Sequence, residues 1–324
     1  MTFFGNIDIA NSRNSVRGPL LQSTAAPPRG TVADDTGLPA YENITLTVDP
    51  DIRTVWCHMN VPGKPIVTQS LLDDLRHMQD CLPDLNADYV AATGAPLTHF
   101  VFGSRTPGVY SLGGDLRMFV DAFRNGDRET IHHYARSCID VVYQNINALD
   151  LPLITIALVQ GEALGGGFET ALSLDMIIAE RSSKMGLPEI LFNLFPGMGA
   201  YSLLSRRLDP ARAQKMIMSG RIYTAEELYD MGLVDVIAED GCGEATVADY
   251  IQRNAGKFNA HRALHQTRRR VNPITRDELC DIVDCWTDAV FQLNEADIKK
   301  MSRLVAAQDR RFHKGPQALA GSVG

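Results

Sequence analysis

Two glutamates stand where the sequence offers them little solvent. Glu169 lies inside "ALGGGFETALSLD", residues 163 to 175, and Glu189 follows Pro188 in "KMGLPEILFNLFPGMGAYSLL", flanked by Leu187, Ile190 and Leu191. A carboxylate held away from water without a partner has its pKa raised toward neutrality, where it can both give and take a proton. Two such acids across one pocket suit removal of a proton at one carbon and protonation at the next. The plainer account is that each glutamate caps a helix or pairs with an arginine, and the segments themselves leave that open.

The glycines around them narrow the chemistry. Gly165, Gly166 and Gly167 fall where an apolar strand gives way to a helix. A P-loop needs Lys and Ser or Thr after its last glycine, but Gly167 and Phe168 follow Gly166. A dinucleotide fingerprint needs a third glycine where Thr170 stands. What remains is a helix start with free backbone N–H groups and a positive dipole end, which favour developing negative charge. Lacking a Cβ, glycine lets a substrate carbonyl approach that main chain. "SRTPGVYSLGGDLRMF" repeats the design at Gly113 and Gly114, ahead of a helix beginning near Asp115. One amide from each turn makes an oxyanion hole, in which a single donor contributes about 3 to 4 kcal/mol. Close helix packing is the competing use of the same glycines.

These residues need a scaffold of alternating strands and helices. "YENITLTVDPDIRTVWCHMN" alternates apolar residues about Asp49-Pro50-Asp51 and predicts a β-hairpin. "SLLDDLRHMQDCL" has helical spacing behind Ser70 as cap. "HFVFGS", "LITIALVQG" and "DMIIAE" read as buried strands, the second running straight into the glycines, with a helix over about 128–149 between the first two. The class is α/β. Near the C-terminus Thr275 and Glu278 form a T-x-x-E capping box. Leu279, Ile282, Val283, Trp286, Val290 and Leu293 then form one apolar stripe, followed by a second at Ile298, Met301, Leu304 and Val305. Both predict helices that need a partner surface.

Composition sets outer bounds. With 31 basic and 39 acidic residues the formal charge is −8, which argues against a general nucleic-acid binder. No apolar run approaches the roughly 18 to 20 residues of a membrane span, and the first residues lack a basic leader with an apolar stretch behind it, so a cytoplasmic location is expected. The six cysteines form no CxxC pair, and adjacent His132 and His133 cannot chelate from one helix face, so no metal is assigned. Residues 1–38, rich in Pro, Gly, Ser and Thr, read as a flexible arm, and 315–324 as a flexible tail. The core is expected over 39–255 and a helical region over 256–314.

"IALVQGEALGGGFETALSLDMIIAE", "MGLPEILFNLFPGMGAYSLLSRRL" and "MSGRIYTAEELYDMGLVDVI", in that order, resemble the crotonase (enoyl-CoA hydratase/isomerase) superfamily over about residues 41–310. The resemblance implies a ββα spiral fold with a C-terminal helical trimerisation region. Within it, "PGVYSLGGDL", "GGGFE" and the terminal "RLVAAQDRR" are most similar to the bacterial diffusible-signal-factor synthases, which make cis-2-unsaturated fatty acid signals. Ordinary hydratases usually carry A-G-A-D where this chain has Leu112-Gly113-Gly114-Asp115.

That likeness implies Glu169 and Glu189 as catalytic acids, Gly114 and Gly166 as oxyanion hole, and Leu164, Met198 and Trp286 as acyl-pocket residues. It implies dehydration of a 3-hydroxyacyl thioester and thioester hydrolysis, with the substrate on acyl carrier protein phosphopantetheine or on CoA and no other cofactor. It further implies a homotrimer or dimer of trimers and a sensor kinase as regulator. The basic run "HRALHQTRRR", 261 to 270, could welcome a phosphopantetheine arm or an acidic carrier protein, although solvated surface explains such charges as well. A conventional CoA-dependent hydratase or isomerase, and a crotonase-fold regulatory binding protein, remain as alternatives.

Overall fold

The computed structural model describes residues 40–313; the segments read as an arm and a tail lie outside them. Ten strands divide between two sheets. The larger sheet has the order β1 (Ile44–Asp49), β2 (Thr54–Met59), β3 (His99–Ser104), β5 (Ile154–Val159), β7 (Met176–Glu180), β10 (Val236–Ala238). Its first pair is the expected antiparallel hairpin, with Ile44 opposite Met59, and every later pair is parallel. The smaller sheet is built from three-residue strands, β4 (Val109–Ser111), β6 (Glu162–Leu164), β8 (Lys184–Gly186) and β9 (Ile222–Thr224).

The two sheets advance together. Each of β3, β5 and β7 turns into a short strand, β4, β6 and β8 respectively, and helical structure follows each time. This ββα repetition corrects the expectation that "LITIALVQG" runs directly into the glycines, because β6 intervenes. Three residues cannot show a two-residue period, so these short strands leave no pattern in the sequence.

Eleven α-helices complete the described chain: α1 (Gln69–Thr93), α2 (Leu116–Asn125), α3 (Arg128–Ile146), α4 (Gly166–Ser173), α5 (Ala200–Arg207), α6 (Pro210–Ser219), α7 (Ala225–Asp230), α8 (Gly243–Asn254), α9 (Phe258–Val271), α10 (Arg276–Val290) and α11 (Glu295–His313). The cap of α1 is Thr68, whose hydroxyl accepts from Leu71 N, while Ser70 lies inside the helix and accepts from Asn43 Nδ2. Thr275 does cap α10, accepting from Glu278 N, but the Glu278 carboxylate turns to Arg206 and Ser202 instead of back to the cap. A complete capping box forms at Thr224 and Glu227.

Parallel strands covered on both faces should be continuously apolar, and β2, β3, β5 and β7 are buried at every position. One face of the large sheet packs with α1, α3 and α4 in the main core, around Phe100, Ile139 and Phe168. The other face joins Trp56, Ile156 and Ile178 to Val247 and Ile251 of α8. The expected C-terminal stripes find their partner within this chain: α10 packs on α3 and α11 on α2. Leu279, Val283, Trp286, Ile298 and Met301 are buried there, whereas Ile282 is only half-buried and Leu304 is exposed. Among the described residues no helix is long and apolar enough to cross a membrane.

Candidate active site

Two glycine turns meet where β4 and β6 end. Gly113 has φ +88 and Gly165 φ +52, left-handed conformations that a side chain disfavours. A Cβ on Gly113 would come within 2.7 Å of the Leu164 carbonyl oxygen and 3.2 Å of the Gly166 nitrogen. A Cβ on Gly166 would lie 3.7 Å from the Gly114 nitrogen, so the two amides proposed for one oxyanion are neighbours. Gly166 opens α4, which leaves its N–H outside the intrahelical ladder. The Gly114 loop is held from beside: Val67 N donates to Gly113 O at 2.8 Å, and Tyr134 Oη donates to Val67 O at 2.6 Å.

Both glutamates reach the same cavity of about 60 Å³, whose lining includes Gly114, Gly166, Glu169, Glu189, Met198 and Trp286. Six of the seven residues expected at the site are thereby brought together. Leu164 is the exception: it sits on β6, where its carbonyl abuts Gly113, and it does not line this cavity. Residues without a sequence signal complete the walls, chiefly Phe119 of α2 and Tyr134 and Cys138 of α3. Their rings stack edge-on, Phe119 to Tyr134 at 5.3 Å and Phe119 to Trp286 at 5.4 Å. In the sequence they belonged to ordinary amphipathic stripes, and only the meeting of α2, α3 and α10 makes them a pocket.

The two acids are held differently. Glu169, 2% exposed in the first turn of α4, accepts through Oε1 from Met198 N at 2.8 Å and Ala200 N at 2.9 Å. Glu189 stands on a short 3-10 turn, Pro188–Phe192, over Gly165, and its Oε2 is enclosed without a hydrogen-bond partner. No cation pairs with either among the described residues. Burial, then the charge of Glu189, push the Glu169 carboxyl up to about 8 against the pull of its two amides. Burial pushes Glu189 up to about 7. Two carboxyls so placed hold protons near neutrality, and ionising one makes the other harder to ionise.

A ββα spiral of two sheets, with paired glycine amides and two buried carboxyls on one apolar cavity, defines the class. Residues 97–272, more than half of the chain, match the enoyl-CoA hydratase/isomerase model, and the chain belongs to this family, the crotonase superfamily. Among solved structures it is similar to DspI of Pseudomonas aeruginosa, with 25% identity, TM-score 0.60 and coverage of 72% of this chain and 89% of that one. An enoyl-CoA hydratase from Bacillus halodurans shares the fold at TM-score 0.65 and 20% identity, over 80% of this chain and 98% of that one. The fatty acid oxidation complex subunit alpha of Pseudomonas aeruginosa is 30% identical over 160 residues, 49% of this chain. That match spans only 22% of the length of the curated relative.

Proposed function

We propose that this protein makes a cis-2-unsaturated fatty acid signal by dehydrating a 3-hydroxyacyl thioester and then hydrolysing the thioester. The observation that carries the reading is the pairing of Glu169 and Glu189 on one apolar cavity beside the Gly114 and Gly166 amides. The thioester oxygen sits between the two amides, which favour the negative charge that develops there. One glutamate removes a proton from C2 while the other protonates the C3 hydroxyl, which leaves as water as the double bond forms. For hydrolysis, a glutamate takes a proton from water attacking the same carbonyl, and the carrier thiol departs with a proton. The glycine pair before Asp115 and the likeness to DspI support this over ordinary hydration.

The cavity of about 60 Å³ is large enough for the reacting atoms and too small for a medium-chain tail. Met198 separates it from a second apolar void beside Leu71, Leu75 and Val141. Being flexible, its thioether can swing aside and admit the tail. An acyl carrier protein or CoA as carrier, a homotrimeric assembly and a sensor-kinase regulator belong to the same reading.

A conventional enoyl-CoA hydratase or isomerase is the second reading, favoured by the family match over residues 97–272. Incubation with 3-hydroxydodecanoyl thioester on carrier protein and on CoA decides between them. Free cis-2 acid is expected. Reversible formation of the enoyl thioester without release of acid would leave only the hydratase, and no turnover of either substrate would leave a binding role.

A further inference from the structure

A cavity larger than the catalytic one lies at the other end of the same helices. A cleft of about 730 Å³ opens at the far ends of α3 and α4, closed on its outer side by α9 and the 272–275 segment. In a chain of net charge −8 it gathers six arginines, Arg206, Arg207, Arg262, Arg268, Arg269 and Arg270, against two lining acids, Asp150 and Asp175.

The positive charge is only partly answered. Arg206 is paired with Glu278, while Arg268 and Arg269 both turn onto the single buried carboxylate of Asp175. Of the basic run 261–270, these two side chains turn inward, and Arg268 stays exposed as it does so. Arg207 donates only to carbonyls, Leu172 O and Leu174 O at the end of α4, and so cancels the negative end of that helix. Burial, and then the charge of Arg268, push its guanidinium down to about 10. Arg262 and Arg270 have no acidic partner among the described residues.

We propose that this cleft is a binding site, separate from the catalytic cavity, for a free diphosphate-bearing small molecule of nucleotide size. Guanidinium groups bind phosphate oxygens in bidentate geometry. The cleft volume falls within the range of small-molecule sites and exceeds what a single phosphate fills. Tyr143, Ile146 and Leu151 supply an apolar wall for the non-phosphate part. The site shares α3 and α4 with the catalytic cavity, since Cys138 and Glu169 line one and Ile146 and Ser173 the other.

The test is calorimetric titration of the full chain with pyrophosphate, ADP and CoA, at low and at physiological salt, with the Arg262→Ala/Arg270→Ala double variant and the single Arg262→Ala variant as controls. Pyrophosphate and ADP should bind, weaken with salt and lose at least tenfold in affinity in the double variant. The Glu169→Gln variant should bind them like the parent, which keeps this result independent of the proposed reaction. The idea is overturned if neither pyrophosphate nor ADP binds, if their affinity ignores both arginine variants, or if CoA alone binds, since the phosphates would then belong to the thioester carrier. It is equally overturned if the arginine variants change only the oligomeric state, which would make the cleft a contact between copies of this chain.

Discussion

Glu169 and Asp175 lie six residues apart on α4 and the turn that ends it, at 2% and 3% exposure, yet their surroundings are opposite. Asp175 accepts from Arg268, Arg269 and both the amide and hydroxyl of Thr155, and so ties β5 and α9 to the end of α4. Glu169 accepts only from two backbone amides and faces a second acid across an apolar cavity. Burial alone therefore does not make a carboxylate reactive. With cations beside it the group becomes a structural tie. Where burial and a like charge outweigh two amide donors, the group keeps a proton it can exchange.

The comparison breaks if the two acids respond alike to loss of charge. Glu169→Gln and Glu189→Gln should each lower single-turnover dehydration by about 10² to 10⁴-fold, the usual contribution of a positioned acid or base. Full activity in either variant would remove the two-acid mechanism. Asp175→Asn should instead cost about 1 to 3 kcal/mol of stability, because it unpairs Arg269 and the more exposed Arg268 beside Arg207. Denaturant titration measures that loss, and activity per folded molecule should survive it.

Smaller effects sharpen the contrast. Gly113→Ala should cost about 1 to 3 kcal/mol through its positive φ and the approach to Leu164 O. By displacing the Gly114 amide it should lower kcat more than it raises KM, which steady-state kinetics will read. The pH dependence of folding reads the same acid directly. The Glu169 carboxyl is raised from 4.5 to about 8, so between those values the unfolded chain has released a proton that the folded chain retains. Stability should fall as pH rises through that window, by at most about 1.4 kcal/mol per unit for one proton. Glu169→Gln should flatten the slope in melts at pH 5 and pH 8, and an unchanged slope would place the titration elsewhere.

Much of this was legible beforehand because it depends on local rules. The hairpin at Asp49-Pro50-Asp51, the apolar runs of β3, β5 and β7, and the helix start behind two glycine turns all follow from neighbours in sequence. The second sheet was not legible, since β4, β6, β8 and β9 have three residues each. Leu164 belongs to one of these short strands, where its carbonyl stands against the Gly113 turn and outside the cavity lining. Tyr134, Phe119 and Cys138 showed nothing but helical spacing.

By itself the sequence determined which groups could react: two acids in apolar segments and two turns that only glycine can make. It could not say whether those acids would meet each other or an arginine. The same chain contains both outcomes within one helical turn and a half, and residue type is identical in its chemistry at either end. Tertiary packing decided it, by bringing α10 and the Pro188–Phe192 turn around Glu169 and by bringing α9 with its guanidinium groups onto Asp175. Coulombic interaction and desolvation act over a few ångströms of space, and distance in space is what folding sets.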